Sequence, residues 1–234
     1  MSTTPVSNES LHDRRIEETL PLVSPEELLA EYPLSAELAE RVIRSRREVT
    51  AVLDREDPRL LVVVGPCSVH DPVAALDYAR RLEALSRELP DLLVVMRVYF
   101  EKPRTTTGWK GLINDPHLDD SGDVNAGLRT ARRLLLEVLE IGLPERVIID
   151  ASHDNSGKDH EHQPAVAADI AAQVAAGNGA IVGVMLESFI EAGRQEPDGA
   201  LTYGMSVTDA CMAWDTTVDV LRGLDAAART RRGG

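Results

Sequence analysis

Only two of the 234 residues are cysteine, Cys67 and Cys211, and only three are lysine, beside 22 arginines. Two cysteines are too few for a disulfide framework, so both are expected as free thiols in a reducing compartment. Positive charge is also short. Lys and Arg number 25 against 39 Asp and Glu, a net charge of −14. That balance disfavours nucleic acid and anionic membrane as partners, and an anionic small substrate would need a local basic pocket. No apolar run approaches the ~20 residues that cross a bilayer. The opening stretch MSTTPVSNESLHDRRIEETL has no hydrophobic signal core, so the cytoplasm is the expected location. The chain has no fixed-period repeat and no low-complexity tract.

What is present is an alternation of short valine-rich runs and amphipathic stretches. Ser24, Pro25 and Glu27 have the spacing of a capping box with proline at the first helical position. A second helix is expected over 35–54, with Leu38, Val42, Val49 and Leu53 on one face. Arg59 to Val64 reads as a buried strand. Asp71-Pro72 starts a helix whose apolar stripe is Leu76, Ala79, Leu82 and Leu89. Strands are expected at 91–100, 146–153 and 180–188. Helices are expected at 123–141 (ending at Gly142), at Pro164 to Ala176 and over about 207–230. The order βαβαβαβα, with strands apolar on both faces, predicts a parallel sheet with helices packed outside it.

Each expected strand ends in polar residues. Cys67 and Ser68 follow the first, Arg97 to Arg104 surround the end of the second, Asp150 and His153 follow the third, and Glu187 and Ser188 follow the fourth. Asp209 opens the final helix region. In parallel α/β folds ligands collect at that edge. Taken singly, Cys67 reads as a small buried hydrophobe, His153 as a loop residue, and Glu187 and Asp209 as caps or solvated charges. Together they make a plausible mononuclear metal set of one thiolate, one imidazole and two carboxylates. Between 97 and 110, Arg97, Lys102, Arg104 and Lys110 face a single acid, Glu101. In so acidic a chain this is a local reversal of charge, and its threonines and Gly108 can donate to phosphate oxygens.

The strings GPCSVHDP, MRVYFEKPRTTTGWKGLINDPHLD, IIDASHDNSGK, GVMLES and YGMSVTDAC resemble, in order, type I 3-deoxy-D-arabino-heptulosonate 7-phosphate (DAHP) synthase, also called phospho-2-dehydro-3-deoxyheptonate aldolase. The resemblance implies a TIM barrel that condenses phosphoenolpyruvate with erythrose 4-phosphate and releases phosphate, opening the shikimate pathway of aromatic amino acid biosynthesis. It implies a divalent metal (Mn, Fe, Co or Zn) on Cys67, His153, Glu187 and Asp209. Lys102 would be the catalytic proton donor and would also touch substrate. Arg97 would contact phosphoenolpyruvate, while Lys102, Pro103, Arg104 and Thr105 would form the erythrose 4-phosphate grip.

The chain is too short for the whole of that fold. A closed eight-stranded barrel takes ~250 residues, with ~200 near the minimum, and from Arg59 onward only 176 remain. The alignment runs from the helix after the family's second strand directly to its seventh, with a single Gly142-Leu143-Pro144 turn where the family has two. The expectation is therefore an α/β, incomplete TIM (β/α) barrel at 58–234, with about four parallel strands and flanking helices, plus an N-terminal helical extension at 1–57. With the missing strands go an arginine, a lysine and a further arginine that hold phosphoenolpyruvate in the family. The expected function is the family reaction. The alternatives are an impaired homologue that binds a metal or sugar phosphate as partner of a full-length synthase, and a diverged metal-dependent lyase on a phosphorylated aldehyde. A homo-oligomer or association with a full-length homologue is expected, since two open sheet edges need cover.

Overall fold

The computed structural model describes residues 24–99, 117, 123, 125–127, 129, 146–197 and 200–233. The chain divides into two units, Met1–Ser45 and Arg46–Gly234. The first holds α1 (Pro25–Glu31) and the start of α2 (Ala36–Leu53). Of the expected apolar face of α2, Leu38 and Val42 are exposed. Val49 and Leu53 pack onto the cluster of Val52, Leu61 and Leu93 in the second unit.

The second unit holds the sheet. Its elements are β1 (Leu60–Gly65), α3 (Pro72–Ser86), β2 (Leu92–Met96), β3 (Val147–Asp150), α4 (Gln163–Ala175), β4 (Ile181–Glu187) and α5 (Trp214–Gly233). All strand pairs are parallel, in the order β2-β1-β4-β3. Read as a ring, this is 3-4-1-2. β1 lies beside β2, β3 beside β4 and the first strand beside the last, so among the described strands the ring is open between β2 and β3. A sheet of this order is a closed parallel barrel with an arc removed.

Burial follows from position in that arc. The central strands β1 and β4 are covered on both faces, as their valine-rich runs predict, while β3 at the edge exposes Val147 and Ile148. On one face Leu60, Val62, Val64, Val184 and Leu186 pack against α3, α4 and α5. The opposite face carries Leu61, Val63, Val95 and Met185, and period-two alternation continues it to Arg97, Asp150 and Glu187. The same alternation that builds the sheet therefore sends these three polar side chains to its inner face.

Local signals explain most boundaries. Asp71 caps α3 by accepting from the amides of Val73 and Ala74, and Pro72 occupies the first helical turn. Two expectations need correcting. Leu76 is exposed, and the buried face of α3 is Ala74, Tyr78, Leu82 and Leu85. The last helix starts at Trp214 rather than near 207. Residues 206–212 instead bridge to the segment after β4, through Cys211 with Gly193 and Met212 with Ser188, so Asp209 sits in a loop. The helix expected over 123–141 lies mostly outside the described residues. Where it is described, Asp123 accepts from the Ala126 amide and residues 125–127 are helical.

Candidate metal centre

Four loops meet at the C-terminal edge of the sheet. Cys67 lies two residues beyond β1. Glu187 is the last residue of β4, and its backbone is held by Gln163 of α4, whose side chain donates to the Glu187 carbonyl (3.3 Å) and accepts from its amide (3.2 Å). Gln163 is buried, so this pair of bonds replaces the ladder where the strand ends. The Met212 amide donates to the Glu187 carbonyl as well, at 3.0 Å. Ser68 and Thr208 share a hydroxyl hydrogen bond of 2.9 Å, which ties the loop of Cys67 to the loop of Asp209.

The result is a compact donor set. Ligand atoms of Cys67, Glu187 and Asp209 all lie within 4.8 Å of one another. His153 joins them: its Nε2 is 3.5 Å from Glu187 Oε1 and 4.0 Å from Asp209 Oδ2. Its other nitrogen, Nδ1, is 2.7 Å from Asp150 Oδ2. Asp150 is itself fixed, since its Oδ1 accepts from the amide and hydroxyl of Ser152 at 2.8 and 3.0 Å. A carboxylate behind a histidine in this way sets the ring's tautomer and turns the opposite nitrogen toward a metal.

Among the described residues the centre has little positive charge beside its acids. Glu187 Oε1 is buried and makes no hydrogen bond among the described residues. The Arg97 guanidinium lies 3.4 Å from it, donates to the Cys67 carbonyl at 3.2 Å, and sits over the Tyr99 ring. Among the described residues, one guanidinium stands beside two carboxylates, a thiol and an imidazole. A buried carboxylate oxygen without a hydrogen bond, amid thiol, imidazole and second carboxylate, is an arrangement that a divalent cation satisfies. The residues fit such an ion. Beside them Cys211 is buried, and burial pushes its thiol up to about 12, with the Glu187 charge adding to the effect. It stays protonated at neutral pH and is not a fifth anionic donor.

All four expected metal ligands are thus brought together, with Arg97 against them. Lys102, Pro103, Arg104 and Thr105 lie outside the described residues. Two supporting residues had no role from sequence, Asp150 and Gln163. The first carried a signal, an acid three residues before a histidine at a strand end. The second carried none, because a glutamine in the first turn of a helix has many uses.

The model of the DAHP synthetase I family matches residues 37–144 and 137–222. The chain belongs to this family. It is 33% identical to the Tyr-sensitive phospho-2-dehydro-3-deoxyheptonate aldolase of Escherichia coli (strain K12), over 93% of this chain and 96% of the relative. It is also 33% identical to a phospho-2-dehydro-3-deoxyheptonate aldolase of Corynebacterium glutamicum, over 98% of this chain and 99% of the relative. The solved structure of the Francisella tularensis SCHU S4 enzyme matches with a TM-score of 0.73 at 31% identity, covering 93% of this chain and 100% of that one. DAHP synthases catalyse the first step of the shikimate pathway on a TIM barrel. The two family matches overlap at 137–144, so the Gly142-Leu143-Pro144 turn fits the family twice. The alignment to the Escherichia coli relative spans 341 positions against 234 residues here, so the relative carries a segment that this DAHP synthase homologue lacks. The overlap falls between β2 and β3, where the ring of strands is open.

Proposed function

We propose that this chain performs the reaction of its family, the condensation of phosphoenolpyruvate with erythrose 4-phosphate, on a divalent metal held by Cys67, His153, Glu187 and Asp209. The observation that supports this most is the buried Glu187 Oε1, which makes no hydrogen bond among the described residues, amid the other three donors. Mn, Fe, Co and Zn all suit a mixed sulfur, nitrogen and oxygen set. When bound, such an ion supplies Lewis acidity toward the aldehyde oxygen of the sugar phosphate.

The chain's own residues account for the rest. Asp150 holds His153 in one tautomer, and Gln163 fixes the backbone from which Glu187 projects. Arg97, part-buried and stacked on Tyr99, offers a fixed cation to the carboxylate or phosphate of phosphoenolpyruvate. Lys102 gives its proton to the developing alkoxide, a transfer that a guanidinium cannot make because it stays protonated. Lys102, Pro103, Arg104 and Thr105 grip erythrose 4-phosphate. Two free cysteines fit a cytoplasmic setting.

The test is phosphate release from the two substrates by the metal-loaded chain. Turnover that Lys102→Arg abolishes supports the reading, and none at saturating substrates contradicts it. A second reading rests on the open arc between β2 and β3. Edge strands invite pairing, which supports association with a second copy or with a full-length homologue that restores the missing phosphoenolpyruvate groups. Native mass measured alone and with a full-length synthase separates these.

A further inference from the structure

Two of the four metal donors have a hydroxyl residue as their chain neighbour: Ser68 follows Cys67, and Thr208 precedes Asp209. The two hydroxyls lie 2.9 Å apart and join positions separated by 140 in the chain. Thr208 is held in turn by Ser206, whose Oγ accepts from the Thr208 amide at 3.2 Å and lies 3.4 Å from its hydroxyl. Ser206 is fully buried and Ser68 nearly so. The Ser206 carbonyl accepts from the Gln195 amide at 2.8 Å, which fixes the base of this row of hydroxyls.

Loop serines and threonines ordinarily bond backbone groups close by in the chain. Ser68 instead reaches a side chain on another segment. Among the described residues, no backbone-to-backbone hydrogen bond joins 66–68 to 206–210. A second link runs through sulfur: the Cys211 thiol donates to the Asp209 carbonyl at 3.6 Å and meets the Cys67 backbone. Sulfur is a weak partner both as donor and as acceptor.

The donors have to be held together before an ion arrives. Ligand atoms of Cys67, Glu187 and Asp209 lie within 4.8 Å of one another, where a thiolate and carboxylates repel. A hydroxyl pair carries no charge, so it restrains the two loops without adding to that repulsion. Donors restrained in advance leave less ordering for the ion to impose.

We propose that Ser68 and Thr208, seated on Ser206, are positioning residues for the metal centre: their hydroxyl bond sets the spacing of the Cys67 and Asp209 donors and thereby the affinity for the ion. The inference rests on the metal reading of the site given above.

The experiment titrates the full, metal-stripped chain with cobalt(II) and follows the thiolate-to-cobalt charge-transfer absorption, with the Tm of each metal-free variant measured alongside. The wild type is expected to saturate at one equivalent. Thr208→Val and Ser68→Ala each weaken binding about tenfold and alter the band, and Thr208→Ser restores both. The double variant, which leaves neither hydroxyl orphaned, binds no more weakly than either single one, whereas independent effects would multiply to about a hundredfold. A Thr208→Val chain with a lowered Tm but wild-type affinity and band, or losses that multiply in the double variant, overturns the positioning role alone. A wild type that develops no cobalt band overturns it together with the metal reading.

Discussion

The Nδ1 of His153 lies 2.7 Å from Asp150 Oδ2, and this contact decides which ring nitrogen faces the acidic cluster. The carboxylate acts through the histidine. Asp150→Ala should therefore leave the fold in place and weaken metal affinity about 10- to 100-fold. Equilibrium dialysis against a divalent metal reads this. An unchanged dissociation constant would mean that His153 needs no support.

Gln163 makes the analogous statement about Glu187, through the backbone. Gln163→Leu removes both hydrogen bonds and strands a buried amide and a carbonyl lone pair. It is expected to cost about 2–4 kcal/mol in urea unfolding. It should also loosen metal binding, because the ligand's main chain loses its anchor.

Gly183 sits in the middle of β4, where a Cβ would come within 2.9 Å of the Leu61 carbonyl and 3.2 Å of Ile148 Cγ1. Strand β1 cannot retreat without breaking its ladder to β2. Gly183→Ala should destabilise by about 1–3 kcal/mol, seen as a lowered denaturation midpoint with an unchanged m-value.

The acid limb of stability has a contribution at Asp57. Hydrogen bonds from the Arg59 guanidinium hold its carboxyl below the usual range. A depressed folded-state pKa stabilises at neutral pH, and that stability is lost as pH falls below about 4 through the folded value. Asp57→Asn is expected to cost about 1 kcal/mol at pH 7. The gap to wild type should shrink at pH 3, as measured by denaturant unfolding at both values.

Much of this was legible in the sequence, for identifiable reasons. Runs such as LLVVVG and IVGVMLE are short and rich in β-branched residues, which favours strands covered on both faces, and with the alternating helices this led to four parallel strands. Cys67, His153 and Glu187 were legible as strand-end polar residues, Asp209 as a polar residue ahead of the last helix, and all four through the resemblance. The start of the last helix was not. SVTDACMAW has helical spacing, but Cys211 and Met212 instead pair with the segment after β4, a tertiary choice that propensity does not carry. The exposure of Leu76 has the same origin, because Tyr78 rather than Leu76 faces Phe189 and Trp214. Gln163 was hidden because its partner is a backbone 24 residues away.

The account depends above all on one bound ion. Elemental analysis of the exhaustively dialysed full chain, beside Cys67→Ser and Glu187→Gln, measures it directly. Close to one equivalent of divalent metal in the wild type, and less than a tenth of that in each variant, is the predicted result. A chain that retains no stoichiometric metal, or variants that hold as much as the wild type, would contradict it.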